Sequence, residues 1–269
     1  MISIRSGSLL LACTLAAAPV AAADEARVVR VEQDGALDLK DGRQAVAEGI
    51  RLPQGRNDHA SQSFADEALT AMRALVVGKT VTLVTAPPEQ DRYGRLRAQI
   101  VANGDWVQGE LLERGMARVA LAPAHTECAA ALYAAENDAR EAQRGLWASS
   151  DYAVRNPMTL WHDMGTFQIV EGKVLNASLH DGRAYLNYGI DWRTDFTVTI
   201  SPDDMKLFRK DNIDPRDYAG KFIRVRGFVD WQNGPEIEIA NPETIENIDA
   251  QNKKPGLASG LPVSMPMKC

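Results

Sequence analysis

The sequence predicts a mainly β protein with helices, an α+β chain built from two small five-stranded barrels in tandem. Two observations carry this prediction. Short runs that alternate apolar and polar residues are separated by turn dipeptides such as Asp-Gly and Asn-Gly, which is typical of small barrels. The strand pattern also breaks off at Ala148-Ser149-Ser150 and resumes at Phe167, which divides the chain into two units.

The first unit, residues 25–150, is predicted to hold five strands with helices packed on them. Residues 27–40 alternate on both sides of Asp34-Gly35, which predicts a hairpin, and a third strand follows over residues 44–50. Apolar residues recur at spacings of three and four over residues 61–75, which predicts an amphipathic helix. The remaining predicted elements are strands over residues 80–84 and 97–101 and helices at Leu111-Leu112 and over residues 128–143. Such an arrangement is the OB-type barrel.

The second unit, residues 165–248, is predicted to be another OB-like barrel. Turn dipeptides at Asp181-Gly182 and Asn233-Gly234 separate its strand-like runs, and a short helix is predicted over residues 202–209. The five predicted strands cover residues 168–175, 184–189, 196–200, 222–229 and 236–239. Residues 151–164 are interpreted as a linker, so the two units are expected to unfold separately. Residues 249–269 are interpreted as a flexible tail.

Residues 1–23 have the features of a secretory signal peptide. Arg5 precedes an apolar run over residues 9–20, and the small residues Ala21-Ala22-Ala23 follow it. The run is too short for a stable membrane span. The prediction is therefore cleavage near Ala23 and a periplasmic or secreted mature chain without a transmembrane span. The alternative is a lipoprotein anchored through Cys13.

Charge and cysteine content restrict the classes of function. The chain holds 30 Lys and Arg against 36 Asp and Glu, and without Arg5 of the signal peptide 29 against 36 gives a net charge of −7. Such a chain repels phosphate backbones at long range, so tight nonspecific binding of nucleic acid requires a local basic patch. The scattered histidines and the remaining Cys128 and Cys269 show no zinc spacing. Export allows a disulfide between these two cysteines, and the alternative is that no bridge forms.

An ordered set of motifs in the first unit resembles a known family. Asp91-Arg92-Tyr93-Gly94-Arg95 is followed by Gly109-Glu110-Leu111-Leu112, Gly115-Met116-Ala117 and Arg144-Gly145-Leu146-Trp147. In this order they resemble the staphylococcal nuclease (thermonuclease) family over residues 25–150. The second unit is similar to a module that follows the nuclease domain in some exported bacterial members. The resemblance implies a phosphodiesterase site with one calcium ion, two aspartate ligands, a glutamate base and two arginines.

Most positions that would carry this chemistry are changed. The family's opening hairpin reads Asp-Gly-Asp-Thr, and Ala36 stands here at the first metal aspartate. Gly49-Ile50 and Pro53 align the next motif without gaps. This alignment puts Val46 at the first arginine, Arg51 at the second metal aspartate and Gln54 at the glutamate base. Arg95 alone is retained from the catalytic set, Tyr93 matches a substrate-contacting tyrosine, and Leu121 replaces an aromatic that packs on the nucleotide. The chain is therefore predicted to have no catalytic residues of this type and no metal.

Arg95, Arg51, Tyr93 and Gln54 are the candidate ligand-binding residues. Two converging guanidiniums could hold a phosphate or carboxylate without a metal ion. The structural alternatives are that Arg95 donates to loop carbonyls and that Arg51 pairs at the surface with Glu48 or Asp34.

The second unit carries aromatic and basic residues that resemble an oligonucleotide-binding face. They are Trp192, Phe196, Phe228 and Trp231, interleaved with Arg193, Arg224 and Arg226. Alternation places Phe222, Arg224 and Arg226 on one face of a strand, and the favoured interpretation is a solvated sheet face.

These observations predict an exported family member that has lost its calcium ligands and general base, and that acts as a binding or assembly protein without a cofactor. The expected partners are nucleic acid or another phosphate-bearing ligand, held weakly, or envelope proteins. One alternative is an active phosphodiesterase or endonuclease for DNA or RNA that depends on a divalent metal such as calcium, with relocated acids at Asp34, Asp38 or Glu48. A second alternative is a scaffold that only holds other envelope proteins.

Overall fold

The computed structural model describes residues 22–251 except Trp192. Cys13, Cys269, residues 252–269 and all but the end of the predicted signal peptide lie outside the described residues. The strands are β1 Ala22–Val31, β2 Leu37–Leu39, β3 Gln44–Ala47, β4 Ile50–Arg51, β5 Thr80–Gln90, β6 Leu96–Ala102, β7 Asp105–Trp106, β8 Arg118–Val119, β9 Phe167–Lys173, β10 Asn176–His180, β11 Arg183–Asn187, β12 Thr197–Ile200, β13 Phe222–Phe228, β14 Asp230–Trp231, β15 Pro235–Glu238 and β16 Ile245–Asn247. The α-helices are α1 Gln62–Val76, α2 Val107–Glu113, α3 Ala129–Glu141, α4 Met205–Lys210 and α5 Ile248–Gln251. Across this described part of the chain, no helix is long and apolar enough to cross a membrane.

Five strands of the first unit close into a barrel. Strand β1 pairs antiparallel with β2 and β5, β2 pairs with β3, and β5 pairs with β6. The circle closes where β3 runs parallel to β6, with Ala45 opposite Leu96. The predicted OB-type barrel is thereby confirmed. Strands β4 and β8 form a small antiparallel pair with Ile50 opposite Val119.

Local sequence explains where these elements turn and begin. Gly35 has a φ of 87° in the turn after β1, a left-handed conformation that glycine adopts without steric cost. Ser61 caps α1, because its side chain accepts a hydrogen bond from the N–H of Ser63. One face of α1 then buries Ala68 and Met72 in the barrel core.

The strands of the second unit pair in the same order as those of the first, but its first and fourth strands are each bent into two segments. Strand β9 pairs with β13, and beyond Val174 the chain continues as β10, which pairs with β11. Strand β11 pairs with β12, and β12 runs parallel to β15 with Val198 opposite Ile237. Beyond Val229 the chain of β13 continues as β14, which pairs with β15. In both units the third strand of the circuit therefore lies parallel to the fifth. Strand β10 was not predicted because most of its residues are polar and exposed.

Residues 151–164, the predicted linker, are packed against both units. Tyr152 and Leu160 are 3% and 0% exposed, and Leu160 belongs to the core of the second barrel. Arg155 donates to three nearby main-chain carbonyls and to the carboxylate of Asp163. The segment is thus an ordered connection with its own hydrogen bonds.

Buried polar contacts join the two barrels. Arg226 on β13 donates to the carboxylate of Glu136 on α3. Arg118 donates from Nη1 to the carbonyl oxygen of Phe167 at 2.6 Å. The hydroxyl of Tyr133 donates to the carbonyl oxygen of Glu243 at 2.7 Å. Contacts of this kind argue against the separate unfolding expected from the sequence.

The basic face of β13 is buried, so the prediction of a solvated sheet face is wrong. Arg224 and Arg226 are 7% and 3% exposed, while Phe222 at the start of the strand is 38% exposed. Arg224 donates to Glu171 and Glu246. Arg224 and Arg226 do share one face of β13. That face packs on carboxylates and on the first barrel, and no local sequence pattern indicates such packing.

Candidate functional site

A cavity of about 610 Å³ lies between the two barrels. Its first wall includes Asp34 in the turn after β1, Arg51 on β4, and Gln54. Its second wall includes Phe228 at the end of β13 and Glu236 on β15. The surface on which the sequence places the altered catalytic positions therefore faces the second barrel.

Arg51 is turned toward the second barrel. Its Cζ lies 4.9 Å from the centre of the Phe228 ring and 5.9 Å from that of Phe167, within the range of cation–π attraction. Its Nη2 lies 3.8 Å from Oδ1 of Asp58. Burial lowers the pKa of Arg51 and Asp58 opposes that shift. Because arginine is not deprotonated in proteins, the position holds a permanent positive charge.

Arg95 is held by two carboxylates. Its Nη1 donates to Oδ2 of Asp34 at 2.6 Å, and its Nε donates to Oδ2 of Asp91 at 2.8 Å. Burial opposes the charge of Arg95, but Asp91 and Asp34 outweigh it and raise the pKa. Tyr93 lies beside it, 66% exposed, with its ring centre 5.2 Å from Cζ of Arg95. The partners of Arg95 are therefore acids and not the loop carbonyls considered from the sequence.

The two arginines are engaged in different places. Arg51 contacts Phe228, whereas Arg95 is bound to Asp34 on the wall of the cavity. Gln54 lies on the same wall, where its Nε2 donates to the carbonyl oxygen of Leu52 at 3.4 Å. Asp34 occupies Nη1 of Arg95, so an anion that uses this donor has to displace the carboxylate.

Each acid considered as a relocated catalytic group already has an arginine partner. Asp38 accepts from Arg30 at 2.6 Å, and Glu48 is 7% exposed and accepts from Arg97 at 2.6 Å. Arg51 forms neither of the surface pairs considered from the sequence, because Glu48 is paired with Arg97 and Asp34 is paired with Arg95.

The retained glycine motifs have a structural explanation. Gly115 after α2 has a φ of 66°, and a Cβ there would lie 2.1 Å from the carbonyl oxygen of Arg144. Leu146 donates its N–H to the carbonyl oxygen of Gly115 at 2.9 Å. The third and fourth motifs thus meet backbone to backbone and fasten the end of α2 to the segment after α3.

Comparison with known proteins agrees with this fold. The family model described as staphylococcal nuclease homologue matches residues 46–149. An Escherichia coli protein named "Uncharacterized endonuclease" is 33% identical over 134 residues, which are 49% of this chain and 84% of that protein. The chain belongs to the staphylococcal nuclease family. Two plant proteins are also similar over 112 residues, 42% of this chain. A 38.1 kDa protein of Capnoides sempervirens is 37% identical with 30% of it covered, and the staphylococcal-like nuclease CAN1 of Arabidopsis thaliana is 33% identical with 32% covered.

The calcium ion that the staphylococcal nuclease family implies does not fit the residues of this member. Calcium requires several anionic or carbonyl oxygens. Ala36 offers a methyl group and is 2% exposed, and Arg51 offers a cation. The carboxylate of Asp34 is bound to Arg95, and that of Asp58, which lies 3.8 Å from Arg51, is bound to Arg118. Over residues 22–251 other than Trp192, no three His, Cys, Asp or Glu side chains come together in a way that could hold a metal ion.

The aromatic residues singled out in the second barrel do not form one surface. Phe196 is 2% exposed and lies in the barrel core. Phe228 covers Arg51, and Trp231 packs on Trp161 with ring centres 4.9 Å apart. Trp192 lies outside the described residues. The chain therefore places these rings in three different environments.

A buried cluster near Arg51 was not predicted from the sequence. It consists of Asp58, Arg118 and Tyr152. Arg118 donates from Nη2 to Oδ2 of Asp58 at 2.9 Å, and the hydroxyl of Tyr152 reaches the same oxygen at 3.3 Å. Burial lowers the pKa of Arg118, and Asp58 opposes the shift. Arg118 and Tyr152 lie 60 and 94 residues from Asp58, so only the tertiary fold reveals the cluster. Cys128 is buried at the start of α3, and both alternatives for it, a disulfide with Cys269 or no bridge, stay open because Cys269 lies outside the described residues.

Proposed function

We propose that this chain is a non-catalytic, exported member of the staphylococcal nuclease family that acts by binding or assembly in the periplasm. Arg51 carries the proposal. Arg51 stands at the position where the family has a carboxylate that binds the metal. It places a permanent positive charge there, in contact with the ring of Phe228 of the second barrel. Export rests on the signal-peptide features of residues 1–23.

The changes remove more than the metal. Gln54 stands where the general base is expected, and a carboxamide does not accept a proton near neutral pH. Val46 stands at the first arginine and lines the cavity with an apolar side chain. Catalytic groups that stabilise the same transition state depend on one another, and losing any one of them removes most of the rate. Restoring a single group is therefore not expected to restore cleavage.

An active nuclease is the second candidate, because the similar Escherichia coli protein is named an endonuclease. This candidate requires relocated acids. The observation against it is that Asp34, Asp38 and Glu48 are each paired with an arginine.

The test is digestion of single-stranded DNA and of RNA by the purified mature chain, with calcium and with a chelator. We expect no calcium-dependent cleavage. Cleavage that the chelator abolishes and that survives Arg51→Ala would overturn the proposal.

A restoration experiment separates lost chemistry from a blocked cleft. The quadruple variant Ala36→Asp, Val46→Arg, Arg51→Asp and Gln54→Glu returns the four changed residues to the family pattern. If only chemistry is missing, this variant gains calcium-dependent cleavage, while Gln54→Glu alone gains none. A quadruple variant that is folded but inactive would assign the block to the second barrel covering the cleft.

The ligand that we propose for the candidate residues Arg51, Arg95, Tyr93 and Gln54 is a phosphate-bearing anion. Arg51 and Gln54 line the cavity, and Arg95 borders it through its contact with Asp34. Asp34 competes for Arg95 at 2.6 Å, so the ligand must displace this carboxylate. The second-barrel wall also carries the acids Asp230, Glu236 and Glu238. These charges favour a small anion over a long nucleic acid and make binding weak and sensitive to salt.

A further inference from the structure

A second cavity, of about 460 Å³, lies on the second barrel and adjoins the cavity between the barrels, with which it shares Gln232 and Glu236. It lies on the polar face of the sheet formed by β10, β11, β12 and β15, and the hairpin between β14 and β15 borders it at Gln232 and Asn233. Its volume falls in the range of small-ligand sites, about 300–1,000 Å³.

The register of the strands places polar side chains in rows across this sheet. One row is Asn176, Asn187, Thr197 and Glu236, each opposite the next on the neighbouring strand. In the adjacent row, Ser178 lies opposite Tyr185 and Tyr185 opposite Thr199. Because side chains alternate along a strand, these rows share one face, and the other face packs in the core.

The base of the groove is preorganised by buried hydrogen bonds. Thr199 is 1% exposed and donates to Oε1 of Glu236, itself 8% exposed, at 2.6 Å. The hydroxyl of Thr197 donates to Oδ1 of Asn187 at 3.1 Å, which leaves the amide nitrogen of Asn187 as a donor. These bonds fix the orientation of a carboxylate and a carboxamide at the floor.

Other polar groups on the groove are uncommitted. Among the described residues, no hydrogen bond engages the side chains of Asn176, Ser178 or Tyr185, and all three line the cavity. Carboxamides and hydroxyls each both donate and accept, so the groove offers many neutral donors and acceptors at close spacing.

The position of the groove agrees with a ligand site. Strands β11 and β12 are the second and third strands of this barrel. The loop at Asp181-Gly182 joins the first to the second strand, and the hairpin at Asn233 joins the fourth to the fifth. In OB-type barrels this face and these two loops bind oligonucleotides or oligosaccharides.

We propose that this groove binds a neutral oligosaccharide. The described residues of the lining supply four carboxamides, three hydroxyls, one imidazole and one carboxylate, and none of them is Lys or Arg. A carboxamide or carboxylate can engage two neighbouring sugar hydroxyls at once, and the ring of Tyr185 offers a face to the C–H groups of a pyranose.

The same lining argues against other ligands. A nucleic acid needs cations for its phosphates and stacked aromatic rings, whereas this groove has Glu236 and one tyrosine. An apolar molecule needs an apolar wall, and here the aliphatic residues of β11 and β12 point to the core. The groove shares Gln232 and Glu236 with the Arg51 cavity, but Arg51 and Gln54 do not line it, so the proposal stands or falls independently of the nuclease test.

The experiment is an NMR titration of the full mature chain with three neutral trisaccharides (maltotriose, cellotriose and chitotriose) and with decathymidylate. We expect at least one trisaccharide to shift amide signals in residues 176–187 and 232–236 at millimolar concentration, and decathymidylate to leave them unchanged. Asn176→Ala and Asn187→Ala should each weaken sugar binding about tenfold, about 1.4 kcal/mol.

Gln33→Ala is the matched control, because Gln33 is an exposed amide side chain on the first barrel. Its sugar affinity should equal that of the wild type. Asn176 is exposed and Asn187 half-buried, so the test variants are expected to keep the fold, which the melting temperature checks. The proposal is overturned if none of the trisaccharides shifts the groove signals. It is equally overturned if decathymidylate binds there, or if Asn187→Ala binds sugar as well as Gln33→Ala does.

Discussion

Arg226 on β13 and Glu136 on α3 form a buried ion pair between the two barrels, with Nη1 of Arg226 2.8 Å from Oε2 of Glu136. Glu136 is 0% exposed, and its Oε1 also accepts from the N–H of Val119 at 2.7 Å. Nη2 of Arg226 donates to Glu246 at 2.5 Å. Burial opposes the charge of Arg226, but Glu136 and Glu246 outweigh it and raise the pKa. The guanidinium thus neutralises one acid from each barrel.

Removing this guanidinium should destabilise the whole chain. Arg226→Met removes the arginine partner of buried Glu136 and leaves Glu246 with Arg224 as its cation, which costs about 3–5 kcal/mol. The control is Lys206→Met, which removes a surface pair with Asp203 and should cost less than about 1 kcal/mol. Urea unfolding measures both. Equal midpoints for the two variants would show that the buried pair is not a main contributor to stability.

The same contacts predict that the two barrels unfold together. We expect one unfolding transition for the mature chain, and lower stability for residues 25–150 expressed alone, because Glu136 then loses its partner. Differential scanning calorimetry with an independent fluorescence probe tests this. Two resolved transitions, with the first at the melting temperature of the isolated fragment, would restore the separate unfolding expected from the sequence.

Glu246 should make the stability of the interface depend on pH. Burial raises its pKa, but Arg226 and Arg224 outweigh that effect, so the pKa lies below its usual value in the folded state. An acid with a lowered folded pKa stabilises the fold above its unfolded pKa, about 4.3, and this contribution is lost as pH falls through the folded pKa. Glu246→Gln should therefore be destabilised at pH 7 by about 3 kcal/mol, and the difference from wild type should shrink in acid. Glu67→Gln, at an exposed position of α1, should show no such trend in urea midpoints across the same pH series.

The sequence predicted most of the first barrel because its elements carry local signals. The hairpin at Asp34-Gly35 and the helix predicted over residues 61–75 both lie where turn residues and apolar spacing placed them. Burial of Arg224 and Arg226 was not predicted, because an alternating strand looks the same whether its polar face meets water or buried carboxylates. Whether the polar face is buried depends on Glu136, which is 90 residues from Arg226 in the chain.

At the candidate site the sequence located the altered positions but not their partners. Arg51, Gln54 and Asp34 do line one cavity. The contact of Arg51 with Phe228 spans the two barrels, so it depends on how the barrels dock. Motif alignment identifies residues on one barrel and carries no information about the second barrel that covers them.

Gly115 provides a test of the structural explanation for the retained motifs. Gly115→Ala forces a Cβ to within 2.1 Å of the carbonyl oxygen of Arg144. The matched control is Gly104→Ala, where φ is 92° and no atom lies within 4 Å of the added Cβ. Both variants pay the left-handed backbone cost of about 1–2 kcal/mol, and Gly115→Ala should lose about 1–3 kcal/mol more from the clash. Equal unfolding free energies would contradict the backbone contact between the motifs.

Asp34 should control anion binding at Arg95. It holds Nη1 of Arg95 at 2.6 Å, and its side chain is 57% exposed, so the pair is weak enough for a ligand to compete. Asp34→Asn removes the competing charge and also removes a repulsive charge from the cavity wall. Inorganic phosphate should then bind several-fold more tightly, a gain of about 1 kcal/mol, and binding should weaken as salt rises. NMR shifts of the Tyr93 and Arg95 amides report the titration.

Asp38→Asn is the control, because Asp38 pairs with Arg30, and it should leave phosphate binding unchanged. Arg95→Ala in the Asp34→Asn background should abolish the gain, and a gain that persists without Arg95 would place the anion elsewhere on the chain.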